Sequence, residues 1–136
     1  MTAVGSEVVN PILIERCVIV GNHGATNDTS TTVGGANIQS SATLSNCLVI
    51  NNETYDGWGG GILCMVSDGL EINSCTVSGN AAQSGGGINF WQSAGVLLNT
   101  VIWGNDAYYG SALALWDADF PSDMTVSYSN IDSAAD

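Results

Sequence analysis

Two short motifs alternate along this chain of 136 residues, and their repetition constrains the fold more than any other feature of the sequence. The first motif is an apolar residue, two variable residues and an asparagine, preceded by a small residue. Its copies are CVIVGN, CLVINN, CTVSGN and TVIWGN, ending at Asn22, Asn52, Asn80 and Asn105, and a degenerate SNID at 129–132. The second motif is a glycine-rich entry to an apolar residue, with copies GSEV at 5–8, GANI at 35–38, GGGI at 59–62, GGGI at 85–88 and GSAL at 110–113. Such self-similarity is typical of proteins built from stacked repeats.

The small residue of the first motif defines the repeat unit. It falls at intervals of 30, 28, 25 and 29 residues, at Cys17, Cys47, Cys75, Thr100 and Ser129. Apolar residues within a unit alternate with a period of two, as Ile88 and Phe90 do, which predicts short strands. Stacked units share a core and pair each strand with its counterpart about 4.8 Å away. The sequence therefore predicts an all-β fold, a single-stranded parallel β-helix (solenoid) of about four to five coils, with residues 1–136 forming one domain.

The charge balance excludes one large class of function. The chain has 13 acidic residues, one arginine and no lysine, for a net charge of -12. Nucleic-acid binding needs basic residues in number, so we expect no nucleic-acid partner. We predict no membrane span, because no run of about 18 apolar residues occurs. The first ten residues also lack the basic and apolar regions of a signal peptide.

The pairing of GGGI with an apolar-x-x-Asn motif resembles the repeats of right-handed parallel β-helix proteins. These include the pectate-lyase-like superfamily and the polymorphic outer-membrane protein repeats, whose motifs are GG-apolar-apolar and Phe-x-x-Asn. The likeness extends from Gly5 to about Asp132. The chain departs from the second family at the Phe, which is replaced by Ile19, Val49, Val77 and Ile102. The resemblance implies a right-handed coil, as crossovers generally prefer, and an extracellular or cell-envelope location.

Two columns of equivalent residues have structural interpretations. The motif asparagines fall where the chain turns, and there they can tolerate left-handed geometry and form an asparagine ladder from coil to coil. Cys17, Cys47 and Cys75 share an inward column, and Cys64 belongs to a different one. We expect no disulfides, because side chains stacked in register point parallel to one another rather than toward one another.

A further column is predicted to face outward, three positions beyond the apolar residue of the second motif. It contains Pro11, Ser41, Met65, Trp91 and Trp116. Neighbouring loops add Tyr55, Asp56 and Trp58 in one coil and Asp106, Tyr108 and Tyr109 two coils later. Apolar sugar faces stack on rings while hydroxyls bond to carboxylates, so these residues predict a site for a polysaccharide or cell-surface glycan. The alternative is that the rings only protect the sheet or pack under loops.

An enzyme is the competing hypothesis. Glu53 and Asp106 each directly follow a turn asparagine. They belong to strands two coils apart, a separation that we call two rungs, and this spacing puts them roughly 10 Å apart. That distance is near the wide end of the separation between the two catalytic carboxylates of inverting glycosidases. A glycoside hydrolase or polysaccharide lyase would use Glu53, Asp56 or Asp106. The resemblance to pectate-lyase-like enzymes implies a basic catalytic residue and calcium. Arg16 is the one candidate for that base, and its neighbours in the column are neutral, which argues against a uronate substrate.

Calcium is the one metal for which the sequence offers ligands. Asp117, Asp119 and Asp123 occur in the segment WDADFPSD, and carboxylate oxygens at that density can hold Ca²⁺. The alternative is a solvated acidic turn. No cofactor is required by either interpretation of the function.

The ends of the chain lead us to expect a particular kind of partner, a further stretch of solenoid. A solenoid end exposes strand edges and core residues unless it is capped, and neither end contains an amphipathic helical segment. We therefore expect a fragment of a longer solenoid, or a chain that associates end to end with others. The favoured function is a non-catalytic extracellular or cell-surface module for adhesion or glycan contact, and a carbohydrate-active enzyme is the alternative. That step is analogy, because a fold does not fix a function.

Overall fold

The computed structural model describes residues 12–24, 32–116 and 122–132, and every regular element in them is a β-strand. The strands are β1 (Ile12–Glu15), β2 (Val18–Val20), β3 (Ala36–Ile38), β4 (Ala42–Ser45), β5 (Leu48–Ile50), β6 (Ile62–Met65), β7 (Asp68–Asn73), β8 (Thr76–Ser78), β9 (Ala81–Ser84), β10 (Ile88–Trp91), β11 (Ala94–Leu98), β12 (Val101–Trp103), β13 (Asp106–Tyr109), β14 (Leu113–Trp116), β15 (Asp123–Ser127) and β16 (Asn130–Ile131). The predicted all-β fold is confirmed.

The strands form four parallel sheets that make the sides of a coil. The first sheet has the order β1-β4-β7-β11-β15, the second β2-β5-β8-β12-β16 and the third β3-β6-β10-β14. The fourth contains β9 and β13, and single bridges between His23, Glu53 and Ala81 extend it to the earlier coils. Each strand pairs in parallel with its counterparts one coil away. The chain is therefore a β-solenoid of about four turns.

Most corners of the coil are turned by one residue with positive φ, and among the described residues the corner between β3 and β4 has none. Between the first and second sheets these residues are Arg16, Asn46, Ser74, Asn99 and Tyr128; between the second and fourth, Gly21, Asn51, Gly79 and Gly104; between the fourth and third, Gly59, Gly85 and Gly110; and between the third and first, Val66 and Gln92. Glycine adopts this conformation without steric cost, which explains its use at two of the four corners. The residue with positive φ at the second corner directly precedes the motif asparagine, so the asparagine's tolerance of left-handed geometry is not used there.

The motif asparagines form a continuous ladder inside the solenoid. The Nδ2 groups of Asn22, Asn52 and Asn80 each donate to the Oδ1 of the next asparagine, the last being Asn105, at 2.9 Å in every step. The same oxygens accept backbone N–H groups at 3.0–3.1 Å. Asn52 and Asn80 are fully buried. The predicted asparagine ladder is therefore present, and it satisfies backbone N–H groups on three successive rungs.

The small residues of the first motif also stack in single file. The backbone N–H of Cys47 donates to the Sγ of Cys75, that of Cys75 to the Oγ1 of Thr100, and that of Thr100 to the Oγ of Ser129. Cys47 and Cys75 are buried, whereas Cys17 at the first described coil is exposed, and all of these cysteines are free thiols. The column confirms the predicted alignment of the first motif.

The thiols are expected to differ sharply in reactivity. Burial raises the pKa of Cys64 and of Cys75 above the ordinary 9.0, and the thiolate is the reactive form. Iodoacetamide at pH 8 should label Cys17 in the folded protein and reach Cys64 and Cys75 only after unfolding, as mass spectrometry of the labelled peptides would show. Because the folded pKa values are raised, these two thiols contribute stability that is complete below about pH 9 and lost as the pH rises further. Labelling of Cys75 as fast as Cys17 would contradict the packing.

One alignment from the second motif needs correction. That motif predicts that Ile38 aligns with the isoleucine of GGGI, but β3 places Ile38 beside Cys64, two residues further along. The glycine pair Gly34 and Gly35 sets the register, because a Cβ at either position would lie 2.3 Å from a carbonyl oxygen of the next coil. Only adjacent glycines permit this approach between coils. Ser41 therefore does not belong to the outward column of the tryptophans.

Candidate functional site

The corner between the fourth and third sheets has large rings on both sides. On the fourth-sheet side, Trp58 and Tyr109 each lie in register with Ser84 of the coil between them. On the third-sheet side, Trp91 and Trp116 pair directly on adjacent rungs. The outward position predicted for these two tryptophans matches their place at the end of β10 and β14, where they are half-buried and exposed respectively. Both columns follow from the coil period, because equivalent residues stack about 4.8 Å apart.

Five rings make one continuous cluster, which we call the aromatic cluster: Trp58, Trp91, Trp116, Tyr108 and Tyr109. Trp58 lies 4.2 Å from Trp91 between ring centroids and 6.2 Å from Trp116, whose ring is parallel to its own within 5°. Tyr109 meets Trp116 edge-on at 6.4 Å and Tyr108 edge-on at 4.6 Å. The parallel pair and the two edge-on pairs have geometries that aromatic rings favour. The cluster thus orients its rings by mutual packing while leaving Trp116 44% and Tyr109 53% exposed.

The floor of the aromatic cluster is the outer side of the third sheet. Leu63, Asn89 and Ala114 pair in register along it, between neighbours that point into the core. Leu63 and Asn89 nevertheless have no solvent exposure. The corner covers this column, because Asn89 Nδ2 donates to Ser84 and Cβ atoms on Gly59 and Gly85 would lie 2.7 Å from the backbone nitrogen of Leu63 and 2.6 Å from the Cβ of Asn89.

A polar group lies within this apolar surrounding. The indole N–H of Trp116 donates to the Oγ of Ser84 at 2.8 Å, and the Nδ2 of Asn89 donates to the same oxygen at 3.0 Å. The Oδ1 of Asn89 is buried and has no hydrogen-bond partner in the described part of the chain. A buried acceptor in this state can take one more donor, such as a hydroxyl or a water molecule. The site therefore combines ring faces with one unused acceptor.

The remaining ring and acid predicted for this surface lie apart. Tyr55 is 74% exposed and joins no ring pair among the described residues. Asp56 is exposed in the same loop. Of the six aromatic residues predicted as ligand-binding, the structure therefore brings five together and leaves Tyr55 outside.

The two carboxylates of the enzyme hypothesis lie in one column of the fourth sheet. Glu53 pairs with His23 on one side and with Ala81 on the other, and Ala81 pairs with Asp106. The predicted two-rung separation is therefore confirmed, and it places the strands about 10 Å apart. Both acids are exposed, and Glu53 Oε2 lies 3.5 Å from His23 Nδ1. A strand separation of about 10 Å lies just beyond the separation of about 6.5–9.5 Å that inverting glycosidases use between their carboxyl groups.

The predicted calcium ligands are only partly described. Asp117 and Asp119 lie outside the described residues, and Asp123 is exposed at the start of β15. Asp123 lines a groove of about 450 Å³ on the first sheet together with Gly69, Ala94, Gly95, Val96 and Thr125. Within residues 12–24, 32–116 and 122–132, no group of three or more His, Cys, Asp or Glu side chains is close enough to hold a metal ion.

Two residues of the site escaped sequence analysis. Ser84 occupies the position held by Trp58 and Tyr109 in the adjacent coils, so an alignment of all three coils at this column would have marked it. Asn89 is the one amide in the sequence INFW of β10. A polar residue between apolar neighbours was the only sequence feature that could have pointed to Asn89. Because alternate residues of a strand face opposite sides of the sheet, that feature places Asn89 in solvent.

The scan against family models and the searches of curated proteins and of solved structures found no match. None of the described residues forms a helix long and apolar enough to cross a bilayer.

Proposed function

We propose that this chain is a non-catalytic extracellular or cell-envelope module that binds a glycan through the aromatic cluster. The observation that supports the proposal is the set of five mutually packed rings on successive coils, two of them more than half exposed. Pyranose rings repeat along a polysaccharide, and a row of aromatic faces on a rigid solenoid offers repeated stacking positions. The repeats that resemble those of pectate-lyase-like and outer-membrane proteins agree with this location.

The negative charge of the chain favours a neutral glycan over an anionic one. The chain has one cationic side chain and a net charge of -12, and Asp106 belongs to the same strand as Tyr108 and Tyr109. A uronate or sulfated polymer would be repelled by this surface. A neutral polymer has hydroxyls that can donate to the exposed carboxylate of Asp106. We therefore propose a neutral polysaccharide as the ligand.

The binding test uses soluble neutral and uronate oligosaccharides, followed by calorimetry and tryptophan fluorescence. Trp91→Ala and Trp116→Ala should each weaken binding of the neutral ligand about tenfold, because stacking of one ring contributes roughly 1.5 kcal/mol. Trp103→Ala is the matched control, since Trp103 is 54% exposed on the second sheet and belongs to no ring pair described here. It should leave the affinity unchanged.

Two outcomes would overturn the proposal. Equal losses in Trp103→Ala and Trp91→Ala would show that the cluster is not the site. Release of reducing sugars that is abolished by Glu53→Gln or Asp106→Asn would replace the binding module with a glycoside hydrolase. Product analysis after prolonged incubation with each polysaccharide distinguishes these cases.

A further inference from the structure

A groove on the outer side of the first sheet belongs to neither of the sites considered so far. It has a volume of about 450 Å³, and we call it the bulge groove. Its lining residues are Gly69, Ala94, Gly95, Val96, Asp123 and Thr125. They come from β7, β11 and β15, which are neighbours in the sheet, so the groove crosses three successive coils over about 10 Å. Its volume falls within the range of about 300–1,000 Å³ that is typical of ligand sites.

A β-bulge opens the groove. Gly69 is an extra residue of β7 without a partner in β11, because the register between the two strands shifts between Ala94 and Gly95. Gly69 has a φ of 131°, and a Cβ built on it would meet only the side chain of Ser41, at 3.4 Å and beyond. The bulge therefore leaves open space where a regular strand would carry a side chain. Bulges are over-represented next to active sites.

The lining of the groove is apolar on one strand and polar on the next. Ala94 and Val96 of β11 pair with Asp123 and Thr125 of β15 respectively. Asp123 is exposed, and its carboxylate has no ion pair or hydrogen bond with another described side chain. An apolar surface beside a polar group suits a ligand with an apolar body and one polar end.

The charge of the chain favours a cation in this groove. The net charge is -12, and Arg16 is the one lysine or arginine of the sequence. Arg16 follows β1, whereas Asp123 begins β15, which lies four strand spacings away in the first sheet, or about 19 Å. Arg16 therefore does not neutralise Asp123. A cationic ligand is attracted by this surface, and an anionic ligand is repelled.

We propose that the bulge groove binds a lysine side chain of a partner protein. The four-carbon stem of lysine packs along Ala94 and Val96 while its ammonium group reaches the carboxylate of Asp123. Thr125 lies two residues further along the same face of β15, so its hydroxyl offers a second acceptor. Two separate acceptors suit a compact ammonium with three donors better than the planar fork of a guanidinium, which favours lysine over arginine.

The exposure of the groove explains why we assign it to a lysine within a protein. Asp123 and Thr125 are both exposed, so the groove encloses a ligand only partly. An exposed ion pair contributes at most about 1 kcal/mol, and a free amine would therefore bind weakly. The protein that carries the lysine supplies the remaining contacts along the first sheet.

NMR titration of the isotope-labelled chain with Nα-acetyl-lysine N-methylamide tests the proposal. We expect saturable shifts of the amide signals of Gly69, Gly95 and Thr125, with a dissociation constant of about 1–10 mM for this small probe. The matched norleucine derivative has the same four-carbon stem without the ammonium group, and it should bind about fivefold more weakly. Raising the NaCl concentration should reduce that difference, because salt screens an exposed charge.

Two variants locate the binding of the lysine derivative. Asp123→Asn should weaken it about fivefold and leave the norleucine derivative unaffected. Glu15→Gln is the matched control, because Glu15 is exposed on the same sheet and the change also removes one negative charge. Ala94→Leu fills the groove and should weaken the binding of both derivatives. Circular dichroism verifies that each variant is folded.

Four results would overturn this proposal. The first is equal weakening by Asp123→Asn and Glu15→Gln, which would indicate diffuse attraction to an acidic chain. The second is equal affinity for the lysine and norleucine derivatives. The third is tighter binding of the corresponding arginine derivative. The fourth is displacement of the lysine derivative by far lower concentrations of calcium chloride, which would assign Asp123 to a calcium site. Trp91→Ala should bind the lysine derivative normally, so the glycan proposal and this one fail separately.

Discussion

Replacing Asn80 with alanine is expected to lower the free energy of unfolding by about 3–5 kcal/mol. The Oδ1 of Asn80 accepts both the backbone N–H and the Nδ2 of Asn52, and its Nδ2 donates to the carbonyl of Val49 and to Asn105. The substitution leaves several buried polar groups without partners, each at a cost of about 1–3 kcal/mol. Urea unfolding followed by circular dichroism measures the change.

Asn22→Ala is the control for this experiment. Asn22 is exposed at the first rung, and after its removal the Oδ1 of Asn52 still accepts the backbone N–H of residue 22. We expect a loss of about 0.5–1 kcal/mol. If Asn80→Ala cost no more than Asn22→Ala, the ladder would not be a principal source of stability.

Replacing Phe90 with alanine is expected to lower the free energy of unfolding by about 3–5 kcal/mol. Phe90 is among the largest fully buried side chains, and it lies between Cys64 and Leu115 on the inner side of the third sheet. The ring fits because Gly95, across the core on the first sheet, has no side chain. A Cβ on Gly95 would lie 2.6 Å from the Cε1 of Phe90.

A double-mutant cycle isolates this fit between Phe90 and Gly95. Gly95→Ala should cost about 1–3 kcal/mol in the native background because it overpacks the core. In the Phe90→Ala background the added methyl group enters the vacated space, so its cost should fall to what remains from the 3.1 Å approach of the new Cβ to the carbonyl oxygen of Leu70. Denaturation of the four proteins gives the coupling, and additive effects would show that the two residues do not compete for the same volume.

The repeat motifs were sufficient to predict the solenoid, because a residue that packs against or bonds to its counterpart in the next coil must be of a similar type at every coil. The column of Cys47, Cys75 and Thr100 and the asparagine ladder both follow from spacing alone, since a residue that bonds to its counterpart must recur at every coil. The alignment failed where two requirements compete. At Ile38 the apolar match suggested one register, but the close approach of Gly34 and Gly35 to the next coil determined another.

The aromatic cluster was only partly predictable for a related reason. Trp91 and Trp116 follow from strand alternation, and their stacking follows from the coil period. Trp58 contacts Trp91 and Trp116 from the other side of the corner between the fourth and third sheets. The geometry of that contact depends on the glycines with positive φ at the corner, and the sequence repeat does not reveal it. Asn89 was missed because alternation places it outside, and its burial against Ser84 and Gly85 at the corner is not encoded in its own strand.

Nuclear Overhauser effects between the side-chain amides of the ladder test the stacking of the coils most directly. The account predicts a continuous chain of contacts from Asn22 to Asn52, Asn80 and Asn105, and slow hydrogen exchange of the buried Nδ2 groups of Asn52 and Asn80. Side-chain amides that show no such contacts and exchange at the rate of free asparagine would contradict it.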